Sequence, residues 1–301
     1  MKLSALRDFM VVAERGSLRA AARQLEIAQP AITRSIQELE KELGVVLFER
    51  RAKGVSLTPM GEAFLRRSKS VRSELQRAQD ELDQMRGEIH GRIRVALSGV
   101  AHIALLPNAM NAFRQRYSQV KLDIVDGLLP AVEGELKDGT IDCYIGPTMD
   151  EVSNDLDAEM LFKSQCVIVG RQGHPLAKAT SLRELANAEW VTTSITHRAE
   201  TELAPIFERH GLKAPKLVLQ GHSALTFLFS VAYSDLLMML PVQWTQAPMF
   251  RQALQRIPVT EPLPSPPVCI VRRLGLPPTP AADYFCDMIR RAAQHMDTML
   301  A

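Results

Sequence analysis

Three segments at the start of the chain carry apolar residues at the spacing of helices that bury one face. The apolar positions are Leu3, Leu6, Phe9, Met10 and Ala13 in the first segment, Leu18, Ala21, Ala22 and Leu25 in the second, and Ile32, Ile36, Leu39 and Leu43 in the third. Recurrence at three and four residues predicts amphipathic helices. Ser17 is a good N-cap for the second helix, and Pro30 is tolerated in the first turn of the third. Because residues 26–28 alone separate these two helices, the pattern predicts a helix-turn-helix.

Polar residues follow the opposite face of the third predicted helix. They are Gln29, Thr33, Arg34 and Gln37. These side chains can donate to base edges and phosphate oxygens, which a helix needs in order to read the major groove of DNA. A helical hairpin with a solvated polar face would give the same pattern without DNA.

A short basic hairpin is predicted directly after the third helix, over residues 47–58. Two strand patterns flank a turn that contains glycine, and basic residues surround this turn. Such cations would neutralise phosphates beside the groove independently of base sequence. The position of the hairpin favours a winged DNA-binding domain over a merely solvated turn. The predicted DNA-binding residues are Ser17, Gln29, Pro30, Thr33, Arg34, Gln37, Arg50, Arg51 and Lys53.

One long helix is predicted from Thr58, its cap, through Pro59 to about residue 90. Its inner positions are separated by four and three residues in alternation: Phe64, Ser68, Val71, Leu75, Ala78, Leu82, Met85 and Ile89. This is the 3.5-residue period of a coiled-coil seam, so two copies of the chain are expected to pair. The alternative is an amphipathic helix lying on its own domain, but the densely charged flanks suit an exposed arm.

Beyond Gly91 the apolar period changes to two, and predicted strands alternate with helices. The first unit has strands at residues 93–97, 120–125 and 141–145 and helices at 102–117 and 131–136. The second unit has strands at 166–169, 190–191, 216–219 and 236–240 and helices at 200–210 and 222–233, after which the chain returns through a strand at 268–272 and a helix at 281–299. This order predicts parallel sheets covered by helices, in two α/β lobes joined by two crossings.

The run AERGSLRAAARQLEIAQPAITRSIQELEKELGVVLFERRAKGVSLTPMGEAFL resembles, without a gap, the winged helix-turn-helix of the LysR-type transcriptional regulators. DGTIDCYIG, VIVGRQGHPLA and SLRELANAEWV stand at further landmark positions of that family. DGLLPAV, AYSDLLMMLP and PPTPAAD are most similar to members that control the breakdown of aromatic compounds, such as regulators of toluenesulfonate metabolism. One departure is Ala28, which replaces the serine that family members often carry before the Gln-Pro pair.

The resemblance implies an α/β protein in three parts. These are a winged helix-turn-helix DNA-binding domain over residues 1–58, a long linker helix for dimerisation over 59–90, and a two-lobed effector domain over 91–301 that is similar to periplasmic binding proteins. Lobe I would comprise residues 91–163 and 266–301, and lobe II residues 164–265. The partners implied are double-stranded DNA, a small-molecule effector, RNA polymerase and further copies of the chain, in a homotetramer built as a dimer of dimers.

The effector is expected between the two lobes. Ser98 and Gly99 end the first predicted strand just before a helix, where free N–H groups favour an anionic group. Leu128 and Leu129, where relatives often have polar side chains, would add apolar surface for an aromatic body. The resemblance adds a loop of the opposite lobe. The predicted effector-binding residues are Ser98, Gly99, His102, Leu128 and Leu129, with Ser194, Thr196 and His197 in that loop, and the expected ligand is a small organic anion.

Charge and composition agree with this interpretation. The net charge is +2, but residues 1–58 alone carry ten Lys and Arg against seven Asp and Glu. A hydrophobic fraction of 46% with 23% charged residues is typical of a soluble globular chain, and the length predicts more than one domain. Charged residues interrupt the N-terminus, and apolar spans are too short for a bilayer, so a cytoplasmic protein without membrane contact is expected.

Two other functions compete with this interpretation. The cysteines Cys143, Cys166, Cys269 and Cys286 are far apart in sequence and lack metal-ligand spacing, so reduced structural thiols and no metal are expected. A redox-responsive regulator is the alternative that they leave open. A serine hydrolase could be drawn from Ser98, His102 or His197, and Asp142, but the Gly-x-Ser-x-Gly pattern is absent, so no catalytic residue and no cofactor are predicted.

Overall fold

The computed structural model describes residues 1–52, 54–88, 90–148, 152–193, 200–221 and 223–300, with the backbone alone for residues 193, 200–202 and 296–300. The predicted site residues Lys53, Ser194, Thr196 and His197, and Ile89 of the seam, lie outside the described residues. The chain divides into two compact units, residues 1–79 with 138–140, and residues 80–137 with 141–301. Within the described ranges, the helices lack the combination of length and hydropathy that a membrane span needs.

The first unit contains the predicted helix-turn-helix, the hairpin and the start of the long helix. The bounds are α1 Leu3–Arg15, α2 Leu18–Gln24, α3 Gln29–Leu43, β1 Phe48–Arg51, β2 Gly54–Leu57 and α4 Pro59–Met85. Strands β1 and β2 pair antiparallel, with Phe48 opposite Leu57. Leu3 and Leu43, at opposite ends of the predicted apolar faces, are 62% and 37% exposed, whereas Val12 is fully buried. The core is therefore made by the middle turns of these helices.

The start of α4 is fixed by two local features. The Thr58 hydroxyl accepts a hydrogen bond from the Gly61 N–H at 3.0 Å, which confirms the predicted cap. Gly61 itself lies against the chain segment before the hairpin, because a Cβ atom there would be 2.1 Å from the Leu47 carbonyl oxygen. Glycine is thus required by close backbone approach, within a helix that would otherwise favour alanine.

The second unit alternates strands and helices in the predicted order. The bounds are β3 His90–Leu97, α5 Gly99–Ala104, α6 Leu106–Arg116, β4 Gln119–Asp126, α7 Leu129–Lys137, β5 Cys143–Pro147, β6 Leu156–Lys163, β7 Cys166–Arg171, β8 Glu189–Thr193, α8 Glu200–Glu208, β9 Lys216–Gly221, α9 Ala224–Ala232, β10 Met238–Pro241, α10 Gln243–Gln246, β11 Leu254–Ile257, β12 Pro267–Arg273 and α11 Pro280–Leu300.

The described strands form one sheet in lobe I and two smaller sheets in lobe II. The lobe I sheet has the order β4-β3-β5-β12-β6. In lobe II the described strands give β10-β7-β11 and β8-β9, and a bridge between Trp190 and Leu237 links the two groups. Strand β3 is parallel to β4 and β5, and β8 to β9, as predicted.

The parallel sheet predicted from the strand and helix order is confirmed for β3, β4 and β5, but the prediction does not hold for every strand. Strand β12 is antiparallel to β5 and β6, and β7 is antiparallel to β10 and β11. Parallel neighbours require a crossover connection, usually a helix, on the same sheet. Strand β6 instead leads the chain into lobe II, and β12 brings it back into lobe I. The two strands therefore run in opposite directions in the sheet.

The single helix predicted over residues 102–117 is two helices. Helix α5 ends at Ala104, and α6 begins at Leu106 with Pro107 in its first turn. Proline lacks the N–H that a continuous helix would use and its ring clashes with the preceding turn, so the helix breaks here. Strands β6 and β11 and helix α10 escaped prediction, because β11 and α10 span four residues each and β6 is only partly buried.

Each lobe has its own aromatic core. In lobe I the rings of Phe113 and Phe285 meet edge to face with centroids 5.6 Å apart. In lobe II Trp190 and Phe207 meet in the same way at 5.5 Å. Rings in this geometry stabilise their contact beyond the area that they bury, so each pair strengthens the core of its own lobe.

Substitution of Gly61 by alanine is expected to destabilise the first unit by about 2 kcal/mol or more, because the added methyl must displace backbone. Urea unfolding followed by circular dichroism measures this change. Gly134→Ala in α7 is the matched control, since a Cβ there meets nothing within 4 Å. Alanine at that helical position should leave stability unchanged or raise it by about 0.5–1 kcal/mol. Equal effects of the two substitutions would contradict the close approach at Leu47.

Candidate DNA-binding surface and effector cavity

Helix α3 presents its predicted polar face to solvent. Gln29, Arg34 and Gln37 are exposed. The opposite face is buried in the core of the first unit through Ile32, Ile36 and Leu39. The helix is therefore held from behind, while side chains with hydrogen-bonding groups project from its free side.

The remaining helical residues of the predicted DNA-binding site lie at the starts of helices α2 and α3 in the helix-turn-helix. The Ser17 hydroxyl caps α2 by accepting from the Ala20 N–H at 3.3 Å. The Thr33 hydroxyl donates to the Gln29 carbonyl oxygen at 3.1 Å and is thus engaged within its own helix. Pro30 lies exposed in the first turn of α3, and Ala28 at the N-cap provides no side-chain hydrogen bond.

Two carboxylates that sequence reasoning missed fix α3 against its neighbours. Asp8 of α1 is buried and accepts from the Ser35 hydroxyl of α3 at 2.8 Å. Glu40 of α3 accepts from the N–H groups of Leu47 and Phe48 at 2.7 and 3.1 Å. Glu40 therefore ties the exposed helix to the first strand of the hairpin. Its sequence position alone suggested only a solvated glutamate.

The hairpin also docks on the turn between α1 and α2. The Val55 N–H donates to the Gly16 carbonyl oxygen at 2.9 Å. Gly54 has φ +135°, and a Cβ there would be 2.2 Å from that same oxygen. Glycine at the tip of the hairpin thus allows this contact, and the hairpin lies beside the helix-turn-helix as a wing.

The basic residues of the wing differ in their availability. Arg50 is exposed, and within the described residues it has no recorded ion pair. Arg51 is exposed but forms an ion pair with Glu49 and donates to the Ser56 hydroxyl at 2.9 Å. A phosphate would have to compete with Glu49 for Arg51, whereas Arg50 can meet it directly.

A cavity of about 320 Å³ lies between the two lobes of the second unit. This volume is within the range of small-molecule sites in proteins. Lobe I contributes the carboxyl ends of β3, β4 and β5, and lobe II contributes α9, β10 and Trp244 of α10. Apolar side chains dominate the described lining, with Leu128, Ala131, Phe227, Leu228, Val231 and Met238 among them.

The predicted effector residues are only partly brought together. Ser98, Gly99 and Leu128 line the cavity. Leu129 does not, because it is buried in the core beneath α7. His102 does not line it either, and its Nδ1 lies 3.0 Å from the Ser98 carbonyl oxygen. His102 was expected in the site because the predicted helix started at this residue. The helix α5 instead starts at Gly99.

Ser98 is the N-cap of α5, and its buried hydroxyl accepts from the Ala101 N–H at 3.5 Å. Helix α5 has six residues. The dipole available to an anion is correspondingly short. Asp142, the third member of the hypothetical triad, accepts from the Arg94 N–H at 2.7 Å. These bonds give Ser98 and Asp142 structural roles and do not assemble a charge-relay arrangement.

Trp244 lines the cavity close to Gly99 and was not predicted from sequence. A Cβ on Gly99 would be 2.5 Å from its Cζ2 atom, so α5 meets the indole ring directly. Nearby, the Ser164 hydroxyl donates to the Gln243 side-chain oxygen at 2.8 Å, and both residues are buried. The Gly99–Trp244 approach connects lobe I with α10, and the Ser164–Gln243 bond fixes α10 within lobe II. No sequence pattern could have indicated either contact.

The cysteines are buried. Burial raises the pKa of the Cys166 thiol to about 11, and it also raises that of Cys269. Cys143 and Cys286 lie 3.8 Å apart, and the Cys286 thiol together with burial raises the pKa of Cys143 well above its usual value. Oxidation requires accessible thiolate, so these environments favour inert thiols over the redox-responsive alternative.

Comparison with known protein families follows the same division of the chain. Residues 3–62 match the model of the bacterial regulatory helix-turn-helix protein, lysR family, and residues 86–294 match that of the LysR substrate binding domain. The chain belongs to the LysR family. It is a LysR-type DNA-binding transcriptional regulator with an effector-binding domain, and the family comprises regulators, not enzymes.

Relatives of this LysR-family regulator match between about half and nearly all of its length. The HTH-type transcriptional regulator TdcA of Escherichia coli strain K12 is 28% identical over 257 residues, which cover 85% of this chain and 82% of TdcA. TfdS of Cupriavidus pinatubonensis is 40% identical over 152 residues, covering 48% of this chain and 50% of TfdS. The crystal structure of CbnR, a LysR family transcriptional regulator, has the same fold, with a TM-score of 0.71 at 22% identity over 97% of this chain and 99% of CbnR.

Replacement of Glu40 by alanine is expected to lower the free energy of unfolding by about 1–3 kcal/mol, because two part-buried N–H groups lose their acceptor. It should also weaken DNA binding, since the wing loses its connection to α3. Glu38→Ala, at an exposed position of the same helix, is the control for charge. Calorimetric unfolding and fluorescence anisotropy on operator DNA measure the two effects. Indistinguishable behaviour of the two variants would contradict a positioning role for Glu40.

Proposed function

We propose that this regulator reads its operator with the free face of α3 and holds the adjacent phosphates with the wing. The observation that carries the proposal is the division of α3 into a buried apolar face and an exposed face with Gln29, Arg34 and Gln37. Amide and guanidinium groups match adenine and guanine edges respectively. Arg50 and Arg51, with Lys53, would supply phosphate contacts, while Ser17, Pro30 and Thr33 fix the start of the two helices.

Substitutions at the two kinds of contact should separate readout from positioning. Arg34→Ala or Gln29→Ala is expected to cost about 1–3 kcal/mol of discrimination between operator and unrelated DNA. Arg50→Ala should instead weaken binding to both DNAs alike and reduce the slope of log affinity against log salt by about one. Anisotropy titrations at several salt concentrations give both quantities. Full operator preference in the Arg34 and Gln29 variants would overturn the assignment of the α3 face.

Association into a dimer of dimers is part of the same proposal. The described seam of α4 leaves Val71, Leu75, Leu82 and Met85 between 42% and 74% exposed. A second apolar stripe lies on α9, with Leu225 and Phe229 exposed at 64% and 56%. Contiguous exposed apolar surface marks sites of association. Two such stripes on different elements would support two kinds of contact, and the α4 pairing would bring two winged domains to two half-sites.

Charge in the α4 seam should abolish that pairing. Leu75→Glu with Leu82→Glu would bury unpaired like charges in the interface while leaving the effector lobes folded. Light scattering is expected to give smaller assemblies, and operator affinity should fall by at least about tenfold because two domains no longer bind as one. Glutamate at the exposed flank positions Gln76 and Arg72 serves as the control. Unchanged assemblies and DNA binding in the seam variant would remove the coiled-coil proposal.

The effector site in this proposal is the cavity between the lobes. Its volume and apolar lining suit a compact molecule with a hydrocarbon or aromatic body, which Phe227, Leu128 and Trp244 would contact. The expected organic anion stays a prediction, because Ser194, Thr196 and His197 lie outside the described residues. The proposal also includes regulation of transcription in the cytoplasm through RNA polymerase. A DNA-binding regulator must reach both DNA and the polymerase there.

A further inference from the structure

The described lining of the effector cavity differs in charge from that expected for an anion site. Its described lining contains Asp126 and no lysine, arginine or histidine. The other side chains of the described lining that carry polar groups are Ser98, Ser164, Cys166, Thr192 and Trp244, the last through its indole N–H. Among these, Ser98 caps α5 and Ser164 donates to Gln243, so both hydroxyls already have protein partners. The carboxylate of Asp126 is therefore the charged group that a ligand would meet on this lining.

The fold places Asp126 at the ligand-binding edge of the lobe I sheet. It is the last residue of β4 and pairs in register with Leu97, the last residue of β3. Ser98 and Gly99 follow Leu97 on the same carboxyl edge and share the cavity with Asp126. Within the described residues Asp126 has no hydrogen bond or ion pair, in contrast to Asp123 on the same strand, which pairs with Arg92 and Arg94.

We infer that the effector presents a hydrogen-bond donor, a protonated amine or a hydroxyl, to Asp126, while its apolar body fills the cavity between the lobes. The inference rests on the proposed effector site and specifies its ligand class. A carboxylate in a largely apolar cavity attracts a cation or donor and repels an anion, and the effect strengthens as water leaves the site. The ligand's opposite end would contact Phe227, Leu228 and Met238 from lobe II.

Three probes with the same phenyl group and a similar length test the head group: 3-phenylpropylamine, 3-phenylpropanol and 3-phenylpropanoate. Calorimetry on the full chain, without DNA, should rank the amine first, the alcohol second and the carboxylate last, with the amine at least about tenfold tighter than the carboxylate. Asp126→Asn should abolish this preference for the amine over the carboxylate. Asp157→Asn, an exposed carboxylate of β6 outside the cavity lining, is the matched control and should leave the ranking unchanged.

A second variant verifies where the probes bind. Ala131 is an exposed residue of α7 on the cavity lining, so Ala131→Phe fills the cavity without entering a packed core. It should remove binding of the amine and the alcohol. The inference is overturned if the wild type binds the carboxylate most tightly or if the ranking is unchanged in Asp126→Asn. It is also overturned if binding survives Ala131→Phe or if no probe binds at millimolar concentrations. Operator binding by the same variants separates this test from that of the proposed function, because head-group preference can fail while DNA readout stays intact.

Discussion

One buried phenylalanine ring packs the wing and the long helix against the helix-turn-helix in the DNA-binding unit. Phe9 of α1 is fully buried, and its ring lies 5.2 Å from that of Phe48 on the wing and 5.0 Å from that of Phe64 on α4. Burying a side chain of this size contributes about 1.5–3 kcal/mol. Because the ring contacts the hairpin and the long helix together, a single apolar cluster fixes the wing and the start of α4 within this unit.

Helix α3 also depends on its buried apolar face for its position, and this explains which of its residues are free to recognise DNA. Helix α3 is fixed by apolar contacts and by the carboxylates of Asp8 and Glu40, which leaves the exposed groups on its outer face available to DNA. In the second unit the corresponding constraint is the parallel arrangement of β3, β4 and β5. Their carboxyl ends meet at one edge, and the residues just after them become available to a ligand.

The sequence predicted the features that depend on local periodicity and failed where remote segments meet. The helix-turn-helix, the Ser17 and Thr58 caps and the wing all follow from residues within a few positions of one another. Tertiary contacts escaped it: the closeness of Trp244 to Gly99 and the bond from Ser164 to Gln243 join segments that no spacing relates. His102 was expected in the site because the start of α5 was placed three residues late. Leu129 was expected there with Leu128, because relatives often have polar side chains at both positions. Neighbouring helical positions point in different directions, however, and Leu129 packs in the core.

Antiparallel strands were missed for a related reason. Alternation of strand and helix predicts parallel pairing only where a helix returns the chain across the same sheet. Strands β6 and β12 pass from lobe to lobe, and their direction is a property of the two-lobed connection. Most of the described helices and strands were predicted. The direction of the strands that connect the two lobes could only be seen in three dimensions.

The two tryptophans of the chain occupy different environments, and this gives the protein a built-in optical reporter. Trp190 is fully buried in lobe II, and within the described residues its indole N–H has no hydrogen-bond partner. Trp244 is only partly buried and faces Gly99 at the cavity. The emission of Trp190 should therefore be blue and constant, whereas that of Trp244 should change in colour and intensity as a ligand replaces water beside it. Occupancy of the cavity can thus be followed by ultraviolet fluorescence without attaching a dye.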